Sequence, residues 1–159
     1  MILRIRTILD VEDDVLRDIE MDEKFLLKDL HNLIIKIYGF EGKEMASFFK
    51  TNENWEQGDE MSLIDMGIGK DYSNETLNTI FNAENNRLLY IYDFLELWTF
   101  FIQVIEVSEC NQNTKYPNLV FSKGVVPENS PTKIFEESNS DINIERNKDN
   151  TDLDYDQFY

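Results

Sequence analysis

Twenty residues from Leu88 to Val107 constrain this chain more than any other stretch, because nearly every one is β-branched, aromatic or aliphatic. That composition suits a pleated, buried surface rather than a helix. The run breaks at Leu95-Glu96, so it reads as a hairpin. A two-residue turn there sets Phe94 opposite Leu97 and Asp93 opposite Trp98. Leu89, Ile91 and Asp93 then share a face with Trp98, Phe100, Ile102 and Val104, and Leu88, Tyr90, Tyr92 and Phe94 share the other with Phe101 and Ile105. Both faces are apolar, which predicts an interior hairpin covered on both sides for much of its length. Leu-Glu suits such a turn poorly, since two-residue turns need φ > 0 and favour Gly, Asn or Asp. A longer turn slides the register by one residue.

The flanking segments supply the rest of a sheet. Residues 2–9 alternate, with Leu3, Ile5 and Leu9 on one face and Arg4 and Arg6 on the other. An acidic turn, Asp10 to Asp14, leads to a second strand with Val15, Arg17, Ile19 and Met21 on one face, antiparallel to the first by its short connection. From Phe25 to Tyr38 the period changes to that of a helix, with Leu27, Leu30, Ile34 and Ile37 inward and His31 and Tyr38 beside them. Gly39 stands where a left-handed cap ends it. A third strand runs from Met45 to Thr51, and Glu60 to Met66 is a short ambiguous segment. Ser73 is placed to cap a short helix over 74–82, with Leu77, Ile80 and Phe81 inward. Beyond the hairpin, residues 108–133 read as loop with an edge strand around Leu119 to Phe121. The order β-β-α-β-(β)-α-β-β has no βαβ alternation, so the expected fold is α+β: an antiparallel sheet with two helices packed on it. We expect one domain over residues 1–127 and an acidic, disordered tail over 128–159.

The hairpin also carries a motif. Tyr90-x-Tyr92-Asp93-Phe94-x-x-x-Trp98-x-x-x-Ile102, with Glu106 beyond, resembles the signature of the plasmid pRiA4b ORF-3-like family, whose members read Y-x-Y-D-F-G-D-x-W-x-H-x-I. Leu27-Lys28-Asp29-Leu30-His31-Asn32-Leu33-Ile34 with Tyr38-Gly39-Phe40 is similar to the family's "L-x-x-L-H-x-x-I … F-G-W" helix, and Val15-Leu16-Arg17-Asp18-Ile19 to its "W-R-R-I" strand. The resemblance covers roughly the first 125 residues. Three departures stand out. Leu95-Glu96 replaces the usual Gly-Asp turn, Phe100 replaces the His that follows the Trp, and Gly124-Val125-Val126-Pro127-Glu128-Asn129 is a shortened form of "C-x-P-P-E-D-x-G-G". A site built from that His and those acidic and Gly positions would be largely lost here. The resemblance implies an uncharacterised plasmid- and mobile-element-associated protein and brings no established chemistry.

Charge narrows the partners. The formal net charge is −17, with 32 Asp and Glu against 15 Lys and Arg. Residues 136–159 hold eight acids and two bases, so the rest of the chain is itself strongly acidic. Holding a nucleic-acid backbone needs a basic face, so direct nucleic-acid binding is disfavoured. An anionic membrane surface is disfavoured for the same reason. A basic protein partner suits this charge, although acidity also serves solubility alone. The single cysteine, Cys110, allows no intrachain disulfide. No signal-like opening and no apolar run of about 18 residues is present, and we expect a cytoplasmic protein.

The candidate site residues are Asp93, His31 and Arg17, three polar groups in otherwise apolar segments. Asp93 reads as a carboxylate inside an apolar strand, which must be paired or protonated, with Arg17 as its partner. His31, the one histidine, is a base or ligand on one reading and a hydrogen-bonded helix-to-sheet pin on the other. We expect the three to converge on one face if they form a site. With no second His and a distant Cys no zinc set exists, and we expect no metal or cofactor. Asp141-x-Asn143-x-Glu145 lacks the Gly of a calcium loop, Gly67-Ile68-Gly69-Lys70 lacks the spacing of a phosphate loop, and no Gly-x-Ser-x-Gly elbow points to a triad. The ending Asp152-Leu153-Asp154-Tyr155-Asp156-Gln157-Phe158-Tyr159 interleaves acids and aromatics, as a recognition peptide or a frayed end. Two readings of function stay open. One is a non-enzymatic protein-interaction or accessory module. The other is a hydrolase acting on nucleic acid or a small substrate through Asp93, His31 and Arg17.

Overall fold

The computed structural model describes residues 1–64 and 70–131. Strands β1 (Ile2–Leu9), β2 (Val15–Asp22), β3 (Ala46–Lys50), β4 (Glu60–Ser62), β5 (Arg87–Tyr92), β6 (Trp98–Ser108) and β7 (Asn118–Lys123) form one sheet in the order β4-β3-β5-β6-β1-β2-β7. All pairings are antiparallel. Helices α1 (Leu27–Tyr38) and α2 (Leu77–Ile80) add to it, giving the α+β class expected. Of the tail expected over 128–159, residues 132–159 lie outside the described residues, as does the Gly67-Ile68-Gly69 segment.

The long apolar run is the hairpin β5–β6 at the middle of the sheet, as its composition demands. Its register differs from the two-residue expectation. Tyr92 pairs with Trp98, Tyr90 with Phe100 and Leu88 with Ile102, one residue away from the tight-turn alignment. The reason lies in the tip. A tight turn would put Leu95 and Glu96 at φ > 0, neither of them a residue such a turn favours. The chain instead connects the strands through five residues, 93–97; two still have positive φ, Asp93 (65°) and Leu97 (58°), but Asp tolerates that region and can bond the turn. Asp93 Oδ1 accepts the N–H groups of Leu95 (3.0 Å) and Glu96 (3.2 Å), so the carboxylate closes the turn.

The shift matters because it decides which side chains meet. Leu88, Tyr90, Tyr92, Trp98, Phe100 and Ile102 now share one buried face. Leu27, Leu30, Ile34 and Tyr38 of α1 and Leu77 and Ile80 of α2 pack into the same cluster. Tyr38 lies edge-on to Phe100 at 4.7 Å between centroids, and Phe40 stacks on Tyr92 at 4.7 Å. On the opposite face a smaller cluster of Phe49, Leu89, Ile91 and Leu97 is covered by Trp55 and Phe101.

α1 starts where Asp29 reaches back to the N–H of Leu26 at 2.8 Å. It ends at Gly39 (φ 76°), whose N–H and that of Phe40 close onto Lys36 and Ile35 carbonyls. The second helix is shorter than expected. Thr76, not Ser73, is its N-cap, because 25–28 and 73–77 are laced together by main-chain bonds. Leu77 N–H donates to Phe25 and Leu27 N–H to Glu75, and Ser73 and Asn74 sit in a turn closed by Glu75 N–H onto the Tyr72 carbonyl.

Candidate functional site

Arg17, His31 and Asp93 each hold a different part of the frame. Asp93 lies in the turn after β5, not inside the strand, and its carboxylate is occupied by turn N–H groups. Arg17 faces the core and is only 8% exposed. Its guanidinium donates to the carbonyls of Leu16 (2.9 Å), Lys123 (2.8 Å) and Gly124 (3.2 Å) and lies 5.0 Å over the Tyr38 ring. The expected Arg17–Asp93 pair is replaced by this carbonyl set, which ties the end of β7 to β2. His31 Nδ1 is 2.7 Å from the hydroxyl of Tyr90. Among the described residues no hydrogen bond or ion pair joins any two of the three.

His31 bridges helix to sheet. Tyr90 is fully buried, and burial raises its pKa, so it stays a phenol hydrogen-bonded to a neutral His31. Burial also holds His31 below its ordinary value of 6.5. The unfolded chain therefore takes up a proton before the folded one does. The contribution of this site is intact above pH 6.5 and declines as pH falls below it. His31→Ala leaves the Tyr90 hydroxyl buried without its partner and should cost about 1–3 kcal/mol in urea unfolding at pH 7. Tyr90→Phe leaves only a half-exposed imidazole nitrogen and should cost less than about 1 kcal/mol.

The buried carboxylate is Asp18, which is fully shielded from solvent. It accepts from Arg4 Nη2 (2.9 Å), Arg6 Nε (2.8 Å) and Arg6 Nη2 (2.8 Å). Burial works to raise its pKa, but the bonds from Arg6 and Arg4 outweigh this and hold it below the ordinary carboxylate value. The sequence held the signal. Two arginines alternate along the first strand, and the short 10–14 connection sets Arg6 directly opposite Asp18.

The two edges of the sheet differ. β4 is three residues long and begins with a charged Glu60, the usual way to blunt an edge. β7 is six residues long, and Leu119 (45%), Val120 (37%) and Phe121 (44%) are exposed in succession. It pairs only with β2 among the described residues, so its outer row of main-chain groups is open. Among the described residues no group of three or more His, Cys, Asp or Glu could hold a metal ion, and no helix is long and apolar enough to cross a membrane.

A search of curated proteins gives no match. Among solved structures the chain is similar to the protein of unknown function MM3350 from Methanosarcina mazei Go1, at 22% identity and a TM-score of 0.69, over 80% of this chain and 72% of that one. That likeness concerns the fold. The model of the family described as plasmid pRiA4b ORF-3-like protein matches residues 2–154, past residue 125 where the motifs fade. The hairpin and helix that carry the motifs both lie within that span, and the chain belongs to the plasmid pRiA4b ORF-3-like family.

Proposed function

We propose that this chain is a non-enzymatic protein-contact module that binds its partner by accepting an extended segment along the outer edge of β7. The observation that carries this reading is the row Leu119-Val120-Phe121, exposed on an edge strand whose opposite number, β4, is short and charged. A strand added there would satisfy the open main-chain groups and cover three apolar side chains. The charge of −17 favours a basic segment and disfavours nucleic acid as the partner. A hydrolase would need Asp93, His31 and Arg17 gathered at one pocket. Their engagement with three separate sets of partners supports the module instead. We place the activity in the cytoplasm of a cell carrying the mobile element.

Affinity capture from the native cell tests the reading. Lysines at an edge oppose strand addition. Leu119→Lys with Phe121→Lys should therefore lower recovery of the wild-type chain's partner at least tenfold while leaving the unfolding midpoint nearly unchanged. Deletion after Glu137 should leave that recovery intact. Loss of the partner on tail deletion, with the β7 variant still binding, would move the contact to the acidic aromatic ending.

A further inference from the structure

Charge is unevenly spread around β7. Residues 110–127 hold no Asp or Glu, the longest such stretch in the chain, and they include Lys115 and Lys123. A basic residue lying alongside β7 would therefore meet lysine and no carboxylate of the edge strand. The acids stand beyond one end of it. Lys123, the last residue of β7, pairs with Leu16 near the start of β2, and Gly124 lies against the carbonyl of Asp14. The 10–14 turn is thus beside the end of β7. Asp10 N–H donates to the Thr99 carbonyl at 2.8 Å and Ser130 Oγ to the Glu96 carbonyl at 2.7 Å. These bonds draw the 93–97 turn and the 124–131 segment to the same end of the sheet.

None of these three segments contains Lys or Arg. Glu12, Asp13, Asp14 and Glu128 are all exposed there. Asp14 is held by Lys123 at 3.5 Å, but Glu12, Asp13 and Glu128 have no ion pair among the described residues. A strand added outside β7 would run two strand spacings, ~10 Å, from β2 and the turn that precedes it. Three or four extended residues cover that distance. Val125, exposed just past Gly124, gives the stems of long basic side chains an apolar surface. The direction follows from the topology. Every pairing in the sheet is antiparallel, so an added strand that keeps the pattern runs from beside Lys123 to beside Asn118. Its N-terminal flank then reaches the acidic end. Its C-terminal flank meets 110–117, which has Lys115 and no acid.

We infer that the partner segment has two parts in a fixed order: a short basic run, then an apolar strand. The strand pairs with β7, and the basic run lies over Glu12, Asp13 and Glu128. This inference rests on the β7 contact proposed above and adds the order of charge and strand in the ligand. The test is a titration of the full chain with three synthetic peptides, reading affinity and hydrogen-exchange protection at 118–123. All three share one six-residue strand of alternating Val and Thr. The first has four lysines before it, the second the same lysines after it, and the third Gly and Ser in their place. The lysine-first peptide should bind at least tenfold more tightly than either of the others and protect 118–123. Glu12→Gln with Asp13→Asn, both at exposed positions, should weaken it at least fivefold and leave the lysine-free peptide unchanged. Protection of 118–123 with equal affinity for the three peptides, tighter binding of the lysine-last peptide, or no effect of the double variant would overturn the order and leave the β7 contact standing. Failure of every peptide to protect 118–123 would overturn both.

Discussion

Gly124→Ala should destabilise the chain by about 3 kcal/mol and release the end of β7. Two independent effects sum to that figure. Gly124 has φ 84°, a backbone conformation that costs any residue with a Cβ about 1–2 kcal/mol. A Cβ there would also overlap the carbonyl oxygen of Asp14 and lie 3.0 Å from Val15 Cα. Both are main-chain atoms, which no rotamer change can move aside, so the backbone must shift at a cost of about 1–3 kcal/mol. The displacement draws Gly124 away from Arg17, whose guanidinium bonds the Gly124 carbonyl. Urea unfolding should report the loss, and hydrogen exchange should show faster exchange at 118–124 before the rest of the sheet. A variant within 1 kcal/mol of wild type would mean that β7 does not depend on this close approach.

Asp18→Asn should cost about 2–3 kcal/mol at pH 7. Removing one member of a buried charge set typically costs about 3–5 kcal/mol. The figure is reduced here because the Arg4 and Arg6 side chains are 32% and 39% exposed and recover hydration when the carboxylate goes. The pH dependence gives a second readout. The folded pKa of Asp18 lies below its ordinary value of 3.8, so its stabilisation is complete above that value and is lost as pH falls through 3.8 toward the folded pKa. The gap between wild type and Asp18→Asn should therefore narrow between pH 5 and pH 3 in urea unfolding. A gap that stays constant across that range would show that the carboxylate gains nothing from the two arginines.

Much of the sheet is legible in the residues. Period-2 alternation marks β1 and β2, the change of period marks α1, and Gly39 marks its end. The hairpin register is not, because both of its strands are apolar on both faces. Side-chain polarity then offers no reference for register, and only the turn can set it. The positive φ of Asp93 and Leu97 is invisible in a sequence that lacks the usual Gly. The same ambiguity misassigned the buried carboxylate. Asp93 looks buried among Tyr92, Phe94 and Leu95, yet it closes an exposed turn, whereas Asp18 looks like half of a wet strand face and is sealed by arginines from the neighbouring strand. The β7 edge was visible as three apolar residues at 119–121, but its openness depends on which strand ends the sheet.

Hydrogen–deuterium exchange of the chain, alone and bound to the protein it captures, tests the contact-module account most directly. In the free chain, the β7 amides over 118–123 that point away from β2 should exchange rapidly, since nothing among the described residues pairs with them. On binding, those amides should become protected, together with a loss of solvent exposure at Leu119 and Phe121, while the rest of the sheet is unchanged. Protection that appears elsewhere, with 118–123 exchanging as fast in the complex as in the free chain, would contradict the account.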